Sequence, residues 1–265
     1  MGDGMKVTFH GCRGSVPAPS PAMAKYGGNT SCVEVRVASR QIILDTGTGF
    51  RHVAFDRRHE TLILYSHWHH DHIQGLPFNP AVFDPDNRIT FASGVVDGAR
   101  LRQIVQDYFS APYFSIDVVR ACAHWTFDDF AAVCARADDG VRLGAFRLSH
   151  PGGASGYSIE ADGKKIVYLC DNEYEDAQLA DLKAFVDGAD VVVWDGMFTG
   201  AELAERRGWG HSSIEQGLAF FDCGLCARLV ISHYLPDRSD AALDRLAPSL
   251  PVGVRFARDG MTLCL

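Results

Sequence analysis

Five segments of this 265-residue chain run into a side chain that can bind a metal ion. Ile42-Ile43-Leu44 leads to Asp45, Thr61 to Tyr65 leads to His67, Phe146 to Ser149 leads to His150, Ile166 to Cys170 leads to Asp171, and Leu229 to Ser232 leads to His233. Short runs of this kind, bounded by Gly, Pro or Asp, read as buried strands. The residue just past a strand end is where a rigid scaffold presents its functional groups. Five strand ends therefore converge on one chemistry, and the fold must bring them together.

The densest of these ends is His67-Trp68-His69-His70-Asp71-His72, an H-x-H-x-D-H cluster. An imidazole is mostly neutral at pH 7 and carries a nitrogen donor. Packing several with a carboxylate is a costly way to build a core unless a divalent cation satisfies them. His150 alone reads as a hydrogen-bonded structural residue, and Asp171 alone as a helix cap. The recurrence of the pattern reverses both readings.

At 47% hydrophobic residues, the chain can bury a large core. No linker, repeat or charge block divides it, and the candidate ligands run from Asp45 to His233, so residues 1–265 are expected to form one domain. A formal charge of −8 argues against a broad basic surface for duplex nucleic acid or acidic membranes. The opening Met1 to Lys6 lacks a secretory apolar core, and no run approaches a membrane span, so a cytoplasmic location is expected. Eight dispersed cysteines fit reduced thiols. Cys223-Gly224-Leu225-Cys226 has C-x-x-C spacing, but with no second such pair it reads as a helix end.

Hydrophobic periodicity predicts strands at Lys6 to Phe9, Cys32 to Val37, Gln41 to Leu44, Thr61 to Tyr65, Val141 to Leu148, Tyr157 to Glu160, Lys165 to Leu169, Val191 to Trp194, Arg228 to Ile231 and Thr262 to Leu265. Helical spacing marks Asp97 to Phe109, Glu175 to Val186, Ser212 to Phe221 and Ser239 to Leu246. This mixture suggests two packed sheets with helices outside. Residues 76–96 and 110–140, rich in Pro and aromatics, are the least regular and are candidates for a lid or substrate wall.

Assembled in order, Leu44-Asp45-Thr46-Gly47, the His67 to His72 cluster, His150, Asp171 and His233 resemble the five motifs of the metallo-β-lactamase superfamily. The likeness covers nearly the whole chain. It implies an αββα sandwich of the α/β class, two mixed sheets packed face to face with helices outside. It also implies two divalent ions: His67, His69 and His150 on one, Asp71, His72 and His233 on the other, Asp171 bridging, and Asp45 behind them. His70 is then a neighbour and no ligand. Nitrogen and carboxylate donors without Cys suit zinc first, with manganese or iron also compatible.

Two further stretches resemble the ribonuclease Z and cyclic phosphodiesterase branch. Gly208 to Ser213 is similar to its H-S-T motif, with Ser213 where Thr is usual. Trp194-Asp195-Gly196-Met197-Phe198 is similar to the strand end that orients the motif's His, with Asp195 where ribonuclease Z proteins carry Glu. Gly11 to Ser15, Tyr26 to Ser31 and Pro236 to Asp240 resemble the small-molecule phosphodiesterases, although Gly-rich turns and a helix cap would account for them equally.

The resemblance implies catalysis by Asp71, His211 and Asp195: a water activated between the ions attacks a small cyclic nucleotide or other cyclic phosphodiester, and His211, oriented by Asp195, protonates the leaving alkoxide. The implied partner is a small phosphate-bearing molecule. Without a long basic arm and with acidic net charge, transfer RNA is not expected. Relatives dimerise, so a homodimer is compatible. The nearest alternative is an acyl hydrolase, a lactonase or thioesterase, on the same metal site. A redox di-iron protein is more distant, because it needs a flavin module for which this chain has no length.

Overall fold

A computed structural model describes residues 4–37, 40–136 and 140–265. Met1–Asp3, part of the opening read above for a leader, and residues 137–139 of the second irregular segment lie outside them. Six strands follow one another into a first sheet: β1 (Lys6–Gly11), β2 (Cys32–Val37), β3 (Arg40–Leu44), β4 (Glu60–Tyr65), β5 (Ile89–Ser93) and β6 (Thr126–Phe127). Six more form a second: β7 (Arg142–Leu148), β8 (Ala154–Ala161), β9 (Lys164–Leu169), β10 (Val191–Asp195), β11 (Leu229–Ser232) and β12 (Val254–Phe256). The chain then returns through β13 (Met261–Cys264) to the first sheet, whose order is β13-β1-β2-β3-β4-β5-β6; the second runs β12-β11-β10-β9-β8-β7. Helices α1 (His70–Ile73), α2 (Gly98–Tyr108), α3 (Val118–Ala121), α4 (Phe130–Ala135), α5 (Leu179–Val186), α6 (Gly200–Ala204), α7 (Ile214–Asp222) and α8 (Asp240–Leu246) complete the α/β architecture. None is long and apolar enough to cross a membrane.

Both sheets are mixed. In the first, β3, β4, β5 and β6 are parallel and β13, β1 and β2 pair antiparallel. In the second, β9 to β12 are parallel, and β8 pairs antiparallel with both β7 and β9. Two reversals leave β7 running the same way as β9. The C-terminal ends of β7, β9, β10 and β11 therefore share one edge, as do those of β3 and β4. In open α/β sheets this edge is where ligands bind.

The unbroken apolar runs are explained by burial on two faces. Ile42, Leu44, Leu62 and Leu64 join the large core between the sheets with Tyr157, Ile159 and Val167. Their alternating neighbours Ile43, Ile63 and Tyr65 join a second core with Phe91, Leu101, Val105 and Phe109, where α2 covers the outer face. The sheets are also tied by polar bonds beside the ligand edge: Ser155 N donates to Ser66 O at 3.0 Å, and Tyr157 Oη donates to Tyr65 O at 2.6 Å.

The structure departs from the sequence reading mainly in the segments expected to be irregular. Residues 76–96 contain β5, all five of whose residues are buried, and residues 110–140 contain α3, β6 and α4. A five-residue strand buried on both faces carries no alternation to reveal it. The predicted helix Glu175 to Val186 is a 3₁₀ turn at Asp176–Gln178 followed by α5. The helix expected from Ser212 begins at Ile214, because Ser213 caps it: Ser213 Oγ accepts from Gln216 N at 3.1 Å while Gln216 Oε1 accepts from Ser213 N at 2.9 Å. Cys223 ends that helix, and all eight cysteines are free.

Where α7 crosses the sheet, Gly217 sets the approach. A β-carbon there would stand 2.7 Å from Trp194 Cδ1. Trp194 cannot yield, because its Nε1 donates to Ser213 O at 3.1 Å and its ring stacks on Phe220 at 5.2 Å. Gly217→Ala gains about 1 kcal/mol of helix propensity, but overpacking a tight core costs roughly 1–3 kcal/mol. The expected outcome is a thermal midpoint lower by several degrees in calorimetry; an unchanged or higher midpoint would mean that α7 slides freely on the sheet.

Candidate metal centre

Past the shared strand ends, the chain turns so that every candidate ligand faces inward. Asp45 follows β3, the His67 to His72 cluster follows β4 and opens α1, His150 follows β7, Asp171 follows β9, and His233 follows β11. Asp45 and His233 take positive φ (62° and 59°), which aims their side chains back over the edge. His69, Asp71, Asp171 and His233 line a cleft of about 300 Å³, together with Ser15 and His211.

The donors fall into two sets. His67, His69 and His150 bring one nitrogen each to within 4.8 Å of one another, and His150 Nε2 lies 3.0 Å from His69 Nδ1. Asp71, His72, Asp171 and His233 form the second set: His233 Nε2 is 3.0 Å from Asp71 Oδ2, 3.2 Å from Asp171 Oδ1 and 3.3 Å from His72 Nε2. Asp171 reaches both, with Oδ1 3.3 Å from His72 Nε2 and Oδ2 3.8 Å from both His67 Nε2 and His150 Nε2. A third set, Asp171, Asp195, His211 and His233, also lies within that span. Asp195, however, already accepts from Met197 N, Asn172 N and His211, so three of its roughly four lone pairs are engaged.

Three of the nitrogens that point away from the centre are held by partners, as in histidine metal sites generally, whereas His233 Nδ1 is buried without one. His72 Nδ1 sits 2.7 Å from Asp45 Oδ2, His150 Nδ1 donates to Gly210 O at 2.7 Å, and His67 Nδ1 lies 3.0 Å from Ser66 Oγ. Asp45 also accepts from Ser66 N and Oγ, both at 2.8 Å, and from Tyr168 Oη at 3.1 Å, which ties both sheets to one carboxylate. By contrast, the inward atoms His67 Nε2 and Asp171 Oδ1 are buried with no hydrogen-bond partner. Buried polar atoms without a partner are costly, and a cation at each set would satisfy them; the donors present fit a divalent metal.

The electrostatics agree. Burial, with the charge of neighbouring imidazoles, pushes His67, His69 and His150 below the usual histidine range, so their lone pairs are free at neutral pH. Burial lowers His72 too, but Asp171, Asp71 and Asp45 outweigh it and raise its pKa well above the ordinary value. Burial would raise Asp71 and Asp171, yet the surrounding imidazoles hold both far below the carboxylate range. This pocket of negative charge attracts a cation.

His211 and Asp195 stand beside the two sets, with His211 Nδ1 2.9 Å from Asp195 Oδ2 and 3.8 Å from Asp171 Oδ2. Burial disfavours the charged ring, but the charge and hydrogen bond of Asp195, with help from Asp171 and Asp71, raise His211 to about 9. Cations held by Asp71 and Asp171 would take back part of that rise, leaving the Asp195 contribution. The loop carrying His211 is fastened by Glu173, a buried carboxylate that accepts from Gly208 N and Gly210 N, each at 2.8 Å. Gly210 has φ of +86°, and a β-carbon on it would meet His150 Nδ1 at 2.3 Å.

Several of these roles are absent from the sequence reading: Glu173, Ser66, Tyr168 and the backbone amide of Ser15, which donates to Asp71 Oδ2 at 2.7 Å. No local signal marks Glu173, because its partners Gly208 and Gly210 stand 35 and 37 residues further along the chain. His70 lies outside all three sets and pairs with Tyr108 Oη through its Nδ1. Of the segments read either as structural turns or as substrate contacts, Ser15 reaches the cleft, while Ser239 caps α8 by accepting from Ala242 N at 3.3 Å.

A family profile described as the beta-lactamase superfamily domain matches residues 40–234, a span that includes all the candidate ligands together with His211 and Asp195. Among solved structures, the metallo-beta-lactamase fold protein YhfI from Bacillus subtilis superposes with a TM-score of 0.72 at 18% identity, covering 98% of this chain and 99% of its own. The short form of human tRNase Z superposes with a TM-score of 0.68 at 20% identity, over 97% and 98% of the two chains. A diphosphatase from the PhnP family gives 0.70 at 17% identity, over 98% and 99%. At these identities the likeness is one of fold. No match was found among curated proteins.

Asp171 and Glu173 separate donor loss from loop loosening. Asp171→Ala removes the carboxylate shared by both sets and is expected to lose metal, whereas Glu173→Ala touches no candidate donor atom and should keep it while lowering turnover. Metal stoichiometry by mass spectrometry decides: full metal content in the Asp171 variant would end its assignment to both sets.

Proposed function

The chain belongs to the beta-lactamase superfamily, and on that footing we propose that it is a metal-dependent phosphodiesterase acting on a small cyclic phosphodiester. The coarser statement, a metallo-β-lactamase fold hydrolase with candidate His and Asp metal ligands, is established by the matched profile and the site. In the finer reading, His67, His69 and His150 hold one ion, Asp71, His72 and His233 a second, and Asp171 both. Zinc suits these nitrogen and carboxylate donors first. Divalent ions in such a site supply a nucleophile at neutral pH and neutralise charge on the phosphoryl group.

The observation that carries the reading is the His211–Asp195 pair, 2.9 Å apart at the mouth of the cleft. Cleaving a phosphodiester expels an alkoxide, which needs a proton. With Nδ1 committed to Asp195, Nε2 of His211 is the atom left to give one. Asp195 fixes the tautomer and steadies the ring while it carries charge. Against its burial, the charge and hydrogen bond of Asp195 raise the pKa of His211 and favour its acid form, and general-acid help of this kind contributes about 10²–10⁴ in rate. An acyl hydrolase would share every candidate ligand but has less need of this pair. The cleft of about 300 Å³ and the net charge of −8 support a small substrate over a nucleic-acid duplex.

His211→Ala is expected to leave metal content near that of the parent and to slow alkoxide diesters by about 10²–10⁴, while nitrophenyl diesters, whose leaving group needs no proton, lose far less. Steady-state rates on both substrate types check this. Equal losses on both would remove the acid role, and turnover of lactones or thioesters without any diesterase activity would favour the acyl hydrolase.

A further inference from the structure

Beside the metal-centre cleft lies a second, larger cavity of about 690 Å³. His70 lines both, so the two adjoin across its side chain. Its walls come from the end of α1, the Leu76–Phe78 turn, α2 and the loop that follows it, and the side chains are largely aromatic: Phe78, Tyr108, Tyr113 and Phe114, with Ile104 among them. The rings form a continuous surface, since Phe78 and Phe114 lie edge to face at 6.1 Å and Phe109 supports Phe114 from below at 5.6 Å. Tyr108 Oη bonds to His70 Nδ1 and fixes the shared wall.

On the phosphodiesterase reading above, we propose that this cavity binds an uncharged aromatic group of the substrate, one carried by the alcohol or diol whose phosphate sits at the metal centre. Three observations select that occupant. Among the described residues no Lys or Arg lines the cavity and Asp107 does, so a second anionic group is disfavoured there. Phe78 and Tyr113 stand 63% and 80% exposed at the rim, and an aromatic ligand stacking on them would cover apolar surface. The volume lies within the range of small-ligand pockets. The substrate class is thus an amphiphilic diester, with charge at the candidate ligands and a flat neutral ring beyond His70.

The test compares two diesters with the same leaving group, bis(p-nitrophenyl) phosphate and methyl p-nitrophenyl phosphate, on metal-loaded protein. Calorimetric binding of phenylphosphonate and methylphosphonate provides a readout that needs no turnover. The parent is expected to favour the aryl member of each pair by roughly tenfold or more in kcat/KM and in Kd, as burying a ring against apolar walls gives. The double substitution Phe78→Ala and Tyr113→Ala should bring the Kd ratio close to one and the kcat/KM ratio down to the intrinsic difference between the two esters, read from their uncatalysed hydrolysis; both positions are exposed, and circular dichroism checks the fold. An aryl preference in binding that the double variant abolishes, in a protein without diesterase activity, would keep the cavity and reject the phosphodiesterase reading. Diester hydrolysis with no aryl preference would overturn the cavity assignment alone. So would a dimer that the double variant dissociates while the aryl preference persists, since the face would then be a contact between copies.

Discussion

Buried negative charge is the constraint on which this molecule turns. Asp45, Asp71, Asp171 and Asp195 are each no more than 5% exposed and converge on one sheet edge. Two like charges about 4 Å apart repel by roughly 4 kcal/mol at the effective dielectric of such a site, and each has also given up its hydration. Imidazoles relieve part of this, which is why His72 is pushed up and the carboxylates down. The inward atoms His67 Nε2 and Asp171 Oδ1 still lack partners. Cations resolve both problems together, so occupancy of the centre and stability of this edge are linked quantities.

The backbone bears a cost for the same arrangement. Ser15, Asp45 and His233 all adopt φ near 60°, a region that side-chain-bearing residues enter at about 1–3 kcal/mol each. In each case the turn serves a contact at the centre: Ser15 N reaches Asp71, Asp45 reaches His72, and His233 Nε2 reaches Asp71 and Asp171. The large double-sided core around β3 and β4 supplies the stability that tolerates them. Rigid strands thus hold strained turns, and strained turns aim donors.

How much of this was legible in the sequence follows from where each role resides. The donors could be read because each follows an apolar run, and a run buried on both faces marks a strand end whatever its partner. The two sheets could be read from the same runs. The partners of those donors could not. Ser15 acts through a main-chain amide, which every residue but proline possesses. Glu173 matters only because the 208–210 loop returns to it across the fold, and no local pattern encodes that return. Strand β5 is hidden because Thr90 and Ser93 break Ile89–Ser93 into one apolar residue and the pair Phe91-Ala92, without the continuous run that marks the other buried strands. Ser239 allows either a structural or a functional reading in the sequence, since a serine before a helix looks alike in both, and its cap on α8 shows the structural one.

Chemistry and selectivity therefore rest on different parts of the chain. The candidate donors are fixed by strand registers in the two sheets, where a one-residue shift would turn every side chain over. The aromatic cavity is assembled from a 3₁₀ turn, one helix and a loop outside those registers. His70 is the residue common to both walls beside the cluster, and its bond is to Tyr108 rather than to any candidate donor. Substitutions between Phe78 and Phe114 can consequently reshape what is bound without moving the atoms that face the metals. A scaffold partitioned in this way can keep its donor atoms in place while the cavity beside them changes.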